Sequence, residues 1–397
     1  MQIVKIQRAH KIRLCPNNKQ SGYFINACGC ARFTFNWALQ EWKKQYEAGD
    51  RPSAFSLKKK FNSIKRKEFP FVMDVTKCAI EQPFTNLGRA FQGFFRNIKA
   101  GKKARYPKFK KKGIKDSFYI ANDKIKFEGK RVRIPKLGWV KMRESLRFGG
   151  KILSATISNI AGMWFLSVQI EEDMVVSKPP SVVLGVDVGI KSLAVVSDGR
   201  VFEIPKVLKD AEARFRRCQK AVSRKKKDSN NRKRAVLKLQ KQHFRVSNLR
   251  KDSIHKLTTA ITKSCGALGI EDLNIKGMLK NRRLSRALSN ASLSEVHRQL
   301  EYKSNWLDVE LVKADRFYPS SKRCSSCGEI KPSLSLSDRV YVCDNCGLVI
   351  DRDLNASINL ESLAVGSTVS ACRLGSSGLA HTEDETTDWA GISLKSA

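Results

Sequence analysis

Val182-Val183-Leu184-Gly185-Val186-Asp187-Val188-Gly189-Ile190 reads as an apolar strand with a single acid in it. A carboxylate inside such a strand is costly unless it is paired or holds a metal, so Asp187 marks either a salt bridge or a reaction centre. Leu193–Ser197 and Val201–Ile204 follow as antiparallel partners across the Asp198-Gly199 turn. Just upstream, Ser177-Lys178-Pro179-Pro180 has the composition of a linker, and the character of the chain changes there.

The 397 residues include 76 Lys and Arg against 37 Asp and Glu, a formal net charge of +39 that calls for a polyanionic partner. A hydrophobic content of 41% is enough for buried cores, which excludes wholesale disorder. No apolar run approaches the roughly 18 residues of a membrane span, and the start, Met1 to Arg8, lacks the apolar stretch of a signal peptide. A cytoplasmic location is therefore expected, at the nucleoid when bound to DNA. An anionic membrane would call for an amphipathic anchor or a lipidation motif, and neither is found, so nucleic acid is the expected partner.

Ahead of the linker, residues 3–14 alternate charged and apolar side chains, as a strand does, and end in the turn Cys15-Pro16-Asn17. Phe24, Cys28, Ala31, Phe35, Leu39, Trp42 and Tyr46 then recur at helical spacing, and a second helical pattern follows Asp74, its regular part expected to begin at Pro83. Residues 96–115 carry ten Lys or Arg and no acid; Lys102, Lys103, Arg105, Lys108, Lys110, Lys111 and Lys112 are its candidate phosphate contacts. From 118 to 173 short strands alternate with hairpin turns, which predicts a small β-barrel that also takes the strand at 3–14.

Beyond the linker, residues 206–251 hold 18 basic and three acidic residues without Pro or Gly, which predicts two basic helices joined near Asp228–Asn231. Arg224, Lys225, Lys226, Lys227, Arg232, Lys233 and Arg234 flank that joint as further candidate contacts. A separate helix is expected through Leu257–Cys265, then strands at Ala267–Ile270 and Val309–Ala314, and a last helix over Asn355–Leu363. The final stretch, 366–397, is rich in Ser, Gly and Thr and is expected to be a disordered tail.

Four of the 11 cysteines form Cys324-x2-Cys327-x15-Cys343-x2-Cys346. Two matched knuckles present four thiolates tetrahedrally, which suits Zn²⁺ in a closed structural site. Cys28-Gly29-Cys30 lacks a second pair and is read as packing. Three acids lie far apart in the chain: Asp187, Glu271 at the end of a short apolar strand, and the Asp351-Arg352-Asp353 pair of carboxylates opening a helix. Singly, each has an ordinary role as a cap or salt-bridge partner. Together, on strand ends that a sheet brings side by side, they could hold two divalent ions and hydrolyse phosphodiesters. Gly185 and Gly189 beside Asp187 would let backbone pass close to such ions.

Leu184-Gly185-Val186-Asp187-Val188-Gly189-Ile190-Lys191, Gly269-Ile270-Glu271-Asp272-Leu273-Asn274, Arg323-Cys324-Ser325-Ser326-Cys327-Gly328, Cys343-Asp344-Asn345-Cys346-Gly347 and Asp351-Arg352-Asp353-Leu354-Asn355-Ala356 resemble the split RuvC nuclease and zinc ribbon of the TnpB family. TnpB proteins are transposon-encoded, RNA-guided DNA nucleases related to compact type V CRISPR effectors. The resemblance extends to Lys11-Ile12-Arg13-Leu14-Cys15-Pro16-Asn17, Asn36-Trp37-Ala38-Leu39 and Arg105-Tyr106-Pro107-Lys108-Phe109-Lys110. It implies that Asp187, Glu271 and Asp353 are catalytic acids binding Mg²⁺ or Mn²⁺, and that guide RNA and double-stranded DNA are the partners. Asp353 is preferred over Asp351 because the family's last acid precedes x-Asn-Ala.

The expected fold is multidomain α/β plus β. It comprises a β-barrel wedge (1–15 and 101–178) with an inserted helical recognition domain (16–100), then an RNase H-like (RuvC) nuclease domain (181–320 and 350–365) interrupted by a zinc ribbon (321–349). Two other readings stay open on the sequence: an RNA-guided binding protein without nuclease activity, and a transposase that joins DNA strands by related chemistry.

Overall fold

The computed structural model describes residues 2–281, 285–335 and 337–374, without the side chains of 2, 286, 290 and 368–374. The chain forms two compact units, Met1–Lys178 with Ile204–Lys256, and Pro179–Glu203 with Leu257 onward. The first boundary falls within the linker Ser177-Lys178-Pro179-Pro180. Most of the expected tail, 375–397, lies outside the described residues.

In the first unit, β1 (Gln2–Cys15), β2 (Ser117–Ala121), β3 (Lys126–Glu128), β4 (Arg131–Ile134), β5 (Gly138–Met142), β6 (Lys151–Ile160) and β7 (Met163–Val176) form one sheet. Its order is β2-β6-β7-β1-β5-β4-β3. The strand at 3–14 thus joins strands more than a hundred residues away, and β1 passes from β7 along Gln2–Arg13 to β5 at Leu14 and Cys15. Among the described residues no ladder joins β2 to β3, so hydrogen bonding does not close the expected barrel. β5 escaped the sequence reading because Leu137-Gly138 looks like part of a turn.

Three helices, α1 (Asn18–Glu47), α2 (Ala54–Glu68) and α3 (Lys77–Lys99), are inserted between β1 and β2. Asn17 starts α1 with a capping box: its side chain accepts from the Gln20 amide at 2.8 Å while Gln20 accepts from the Asn17 amide at 3.1 Å. Both helical patterns pack into the core except at exposed Tyr46, with Trp37 against Phe61 at 4.9 Å and Trp42 stacked on Phe91 at 4.1 Å between ring centroids. Buried Cys28 and Cys30 belong to the same core, and burial pushes the Cys28 thiol up to about 12. Pro83 does not begin α3 but sits inside it, among buried Ala79, Ile80, Phe84 and Leu87. Burial of that continuous apolar face offsets the roughly 3 kcal/mol that an interior proline costs a helix.

Two basic helices come later in the chain, α4 (Lys206–Ser223) and α5 (Asn230–Lys263). The sequence reading grouped them with the segment beginning at 181, whereas their contacts place Ile204–Lys256 in the first unit. Phe244 packs on Phe165 of β7 at 5.2 Å, and Lys11 of β1 lies over both rings. The helix expected separately at 257–265 is the continuation of α5, since no Pro or Gly interrupts residues 230–263.

The second unit is built on β8 (Val183–Asp187), β9 (Ser192–Val196), β10 (Val201–Glu203), β11 (Ala267–Glu271) and β12 (Glu310–Ala314), ordered β10-β9-β8-β11-β12. β8, β11 and β12 are parallel, β9 runs against them, and β10, antiparallel to β9, returns to their direction. α6 (Ile275–Met278), α7 (Ser285–Ala291) and α8 (Leu293–Leu307) lie in the crossover from β11 to β12. The cysteine module follows, with the hairpin β13 (Val340–Val342) and β14 (Val349–Asp351), and then α9 (Arg352–Leu374). The last helix is longer than the expected 355–363, so residues 366–374, assigned by sequence to the tail, are helical. Their composition, Gly366-Ser367-Thr368, hid a helix that begins under strong capping.

Candidate functional site

β8 and β11 are adjacent and parallel, with Val186 opposite Ile270, so Asp187 and Glu271 leave the same end of the sheet side by side. α9 packs across these two strands and brings Asp353, in its first turn, to the same end. The approach is close: a Cβ on Gly185 would lie 1.9 Å from the Ser357 carbonyl oxygen, and one on Gly269 would lie 2.1 Å from that of Leu360. Gly185 therefore serves the helix, not the passage of backbone beside an ion that its position suggested.

The electrostatics confirm the proximity. Asp187 is pushed well above the ordinary carboxylate range, first by burial and then by the charges of Glu271 and Asp353. The Glu271 carboxylate accepts a hydrogen bond from the buried Ser320 hydroxyl. Asp351, the alternative to Asp353, is engaged otherwise: its Oδ1 accepts from the amides of Asp353 at 2.9 Å and Leu354 at 3.1 Å, the position of an N-cap. Asp353 itself has no side-chain hydrogen bond or ion pair among the described residues. Arg352 offsets only part of this repulsion, and like-charged carboxylates gathered in this way suit a divalent cation. They do not stand at ligand distance from one another, for among the described residues only the four thiols form a group of three or more such donors within 4.8 Å.

Those thiols are Cys324, Cys327, Cys343 and Cys346. Cys324 and Cys346 sulfurs are 3.6 Å apart and those of Cys327 and Cys343 3.5 Å, near the roughly 3.8 Å edge of a tetrahedron with zinc–sulfur bonds of about 2.3 Å. Cys327 is pulled down to about 6, chiefly by the Glu329 amide, which favours the thiolate. Beneath them lie fully buried Tyr341 and the partly buried Leu334, Leu348 and Ile350. The donor set suits Zn²⁺ and leaves no open position.

The basic candidates are on the surface of the first unit. Lys102 to Lys112 lie on an extended segment after α3, exposed and without an ion pair among the described residues. The segment is fixed from beneath: the Asn36 side chain donates to the Lys110 carbonyl at 3.0 Å and accepts from its amide at 2.7 Å, and Tyr106 packs edge-on to Phe91 and Phe94. Arg224–Lys227 follow the end of α4 and Arg232–Arg234 lie in the first turns of α5, Arg232 partly buried and the rest exposed.

Sequence reasoning missed the residues that tie the cysteine module to α9. Asn355, buried, donates to the Arg323 carbonyl at 2.7 Å and accepts from the Ser325 amide at 3.0 Å. Asn359 donates to the carbonyls of Ser320 and Arg323 at 2.8 and 2.7 Å. Two asparagines four apart on an otherwise apolar face were the available signal.

A mixed sheet with an acidic end, joined to a four-cysteine module and preceded by an antiparallel sheet with inserted helices, defines a multidomain α/β protein with a zinc-ribbon-like domain. The chain belongs to the IS605 OrfB/TnpB family. Residues 165–282 match the IS605 OrfB family model, described as "Probable transposase", and 294–360 match "Cas12f1-like, TNB domain". Residues 1–51 match an IS605 OrfB "Helix-turn-helix domain", although here they hold one strand and one long helix. A "Putative RNA-guided DNA endonuclease" of Streptomyces pristinaespiralis is 33% identical over 93% of this chain and 91% of its own. "Putative RNA-guided DNA endonuclease InsQ" of Escherichia coli (strain K12) is 31% identical over 93% and 94%. The structure of the mini-RNA-guided endonuclease CRISPR-Cas_phi3 shares the fold at 9% identity, with a TM-score of 0.50 over 91% of this chain and 92% of that one. Among the described residues no helix is long and apolar enough to cross a membrane.

Proposed function

We propose that the protein is an RNA-guided DNA endonuclease of a transposable element, cutting DNA where it pairs with a bound guide RNA and lies beside a short motif read by the protein. The observation that carries the reading is the meeting of Asp187, Glu271 and Asp353 at one end of the sheet. In this reading the second unit is the RuvC-like nuclease with its zinc ribbon, and the first unit holds the wedge and recognition elements. Mg²⁺ or Mn²⁺ held by the three acids would supply an activated water and neutralise charge on the scissile phosphodiester. Asp187 and Glu271, on neighbouring strands, fix two sides of that site. Asp353 approaches from the helix, and Ser320 orients Glu271. The cysteines hold structural Zn²⁺. The exposed lysines and arginines grip phosphate without choosing sequence, so selection falls to base pairing.

The test is a purified ribonucleoprotein carrying Asp187→Ala. Loss of DNA cleavage with guide RNA still bound supports the assignment, and retained cleavage overturns it. Sequencing the co-purified RNA distinguishes a guide from incidental nucleic acid.

A further inference from the structure

Phe317 is 88% exposed, the most exposed of the large hydrophobic side chains among the described residues. It stands at the apex of the loop between β12 and the cysteine module, and both ends of that loop meet Glu271. Ala314, the last residue of β12, is the register partner of Glu271, and the Ser320 hydroxyl donates to the Glu271 carboxylate. Phe317 is three steps along the chain from Ala314, a path of at most about 10 Å.

The loop is braced. Arg316 pairs with Asp272, the residue after Glu271, at 2.6 Å. The Phe317 amide donates to Asp315 Oδ1 at 2.9 Å, the Tyr318 amide to the Asp315 carbonyl at 3.0 Å, and the Tyr318 hydroxyl to the Asn359 carbonyl at 3.2 Å. An aromatic ring is thus held out in solvent by a fixed frame, beside the acids and outside any core. Next to it, Tyr318, Arg323, Ser325, Asn359, Ser362 and Ser367 help line a groove of about 880 Å³ whose walls carry hydroxyls, a guanidinium and the thiols of Cys324 and Cys327, and no carboxylate. A polyanionic strand is repelled from the acids wherever a cation does not screen them, and this groove offers it a path past the Arg323 guanidinium and away from the carboxylates.

We propose that Phe317 is a stacking platform for a nucleobase of the strand being cut, holding the nucleotide next to the scissile phosphate while the strand continues toward the groove. Every base has a π-face, so such a platform orders a strand without choosing its sequence, as a guide-directed nuclease requires. The proposal rests on the nuclease reading of the acids.

The test uses the guide-loaded protein and a guide-matched DNA whose cut positions are first mapped with the unaltered protein. Phe317→Ala should slow cleavage about 5- to 100-fold, the size of one base–aromatic stack, whereas Phe317→Trp should cut normally. A DNA with one abasic position beside the cut should slow the unaltered protein by a similar factor and slow the Phe317→Ala protein no further. In an Asp187→Ala background that binds but does not cut, 2-aminopurine at that position should be quenched, and Phe317→Ala should relieve the quenching. Normal cleavage by Phe317→Ala, losses that multiply with the abasic position, or unchanged quenching would overturn the proposal. If Asp187→Ala itself cleaves, the nuclease reading fails instead. Guide RNA bound by each variant reports that it has folded.

Discussion

The Ser320 hydroxyl donates its hydrogen bond to the carboxylate of Glu271, across 49 residues of chain. Ser320 is buried and its own carbonyl is held by Asn359, so the hydroxyl is a fixed donor. Groups of this kind orient a metal-binding carboxylate, and their removal typically lowers metal affinity or activity by about 10–100-fold. Ser320→Ala should therefore raise the Mg²⁺ or Mn²⁺ concentration needed for half-maximal cleavage by about that factor, with guide RNA binding unchanged. An unaltered metal titration would deny Ser320 this role.

The cysteine module reaches the acids through backbone. Asn355 and Asn359 of α9 hold the carbonyls of Ser320 and Arg323, and Cys324 follows at once. Metal loss should loosen the stretch from Ser320 to Ser325 and, with it, Glu271. Exposed Cys346 can be changed with little loss of packing. Cys346→Ser is expected to lower bound zinc below one per chain, measured by elemental analysis, and to cut DNA at least about 10-fold more slowly. Full activity in zinc-depleted protein would separate the two centres.

How much of this was legible in the sequence follows from what each feature needs. β8 and β11 were visible because each is a short apolar run closed by an acid, and the thiols because their spacing is nearly sufficient. α2 was not visible: only Leu57 and Phe61 of its 15 residues are buried, and five lysines and an arginine mask them. Pro83 misled because a local rule was overridden by a long apolar face. The continuity of α5 was lost in the change of composition near residue 252, which marks a change of neighbours and not of backbone. At the site, residue types were readable, but the pairing of Asp187 with Glu271 needed the parallel register. The roles of Ser320 and Phe317 depend on loop geometry, for which local sequence carries no period.

Lys303 offers a pH test within the second unit. Its ammonium is buried on α8, donating to Thr258 and Thr259 hydroxyls at 2.6 and 2.7 Å, and burial lowers it to about 8. The folded state thus holds this proton less tightly than the unfolded state does. Stability from this group must rise with pH from about 8 to the ordinary lysine range near 10.4. Below about 8 the folded protein bears the full penalty of a buried charge. Lys303→Met should raise the unfolding midpoint at pH 7, by up to about 3 kcal/mol of stability, and lose that lead by about pH 10. A lead that does not shrink with pH would mean that packing, not charge, sets the difference.

The basic segment after α3 is ordered by contacts that spare its charges. Asn36 brackets the Lys110 backbone and Tyr106 is held by Phe91 and Phe94, while Lys108, Lys111 and Lys112 remain exposed. If these ammonium groups meet phosphates, each contact adds about 0.7–0.9 to the slope of log affinity against log salt. Replacing the three lysines by alanine should flatten the slope for nucleic-acid binding by about 2 and weaken binding similarly for every sequence. Asn36→Ala leaves every charge in place but releases the backbone beneath Lys110. It should lower affinity at fixed salt with little change in slope, because ordering the segment then falls to the binding step. A slope unchanged by the triple substitution would move the phosphate contacts to another surface, with the cluster around Arg224–Lys227 the next to test.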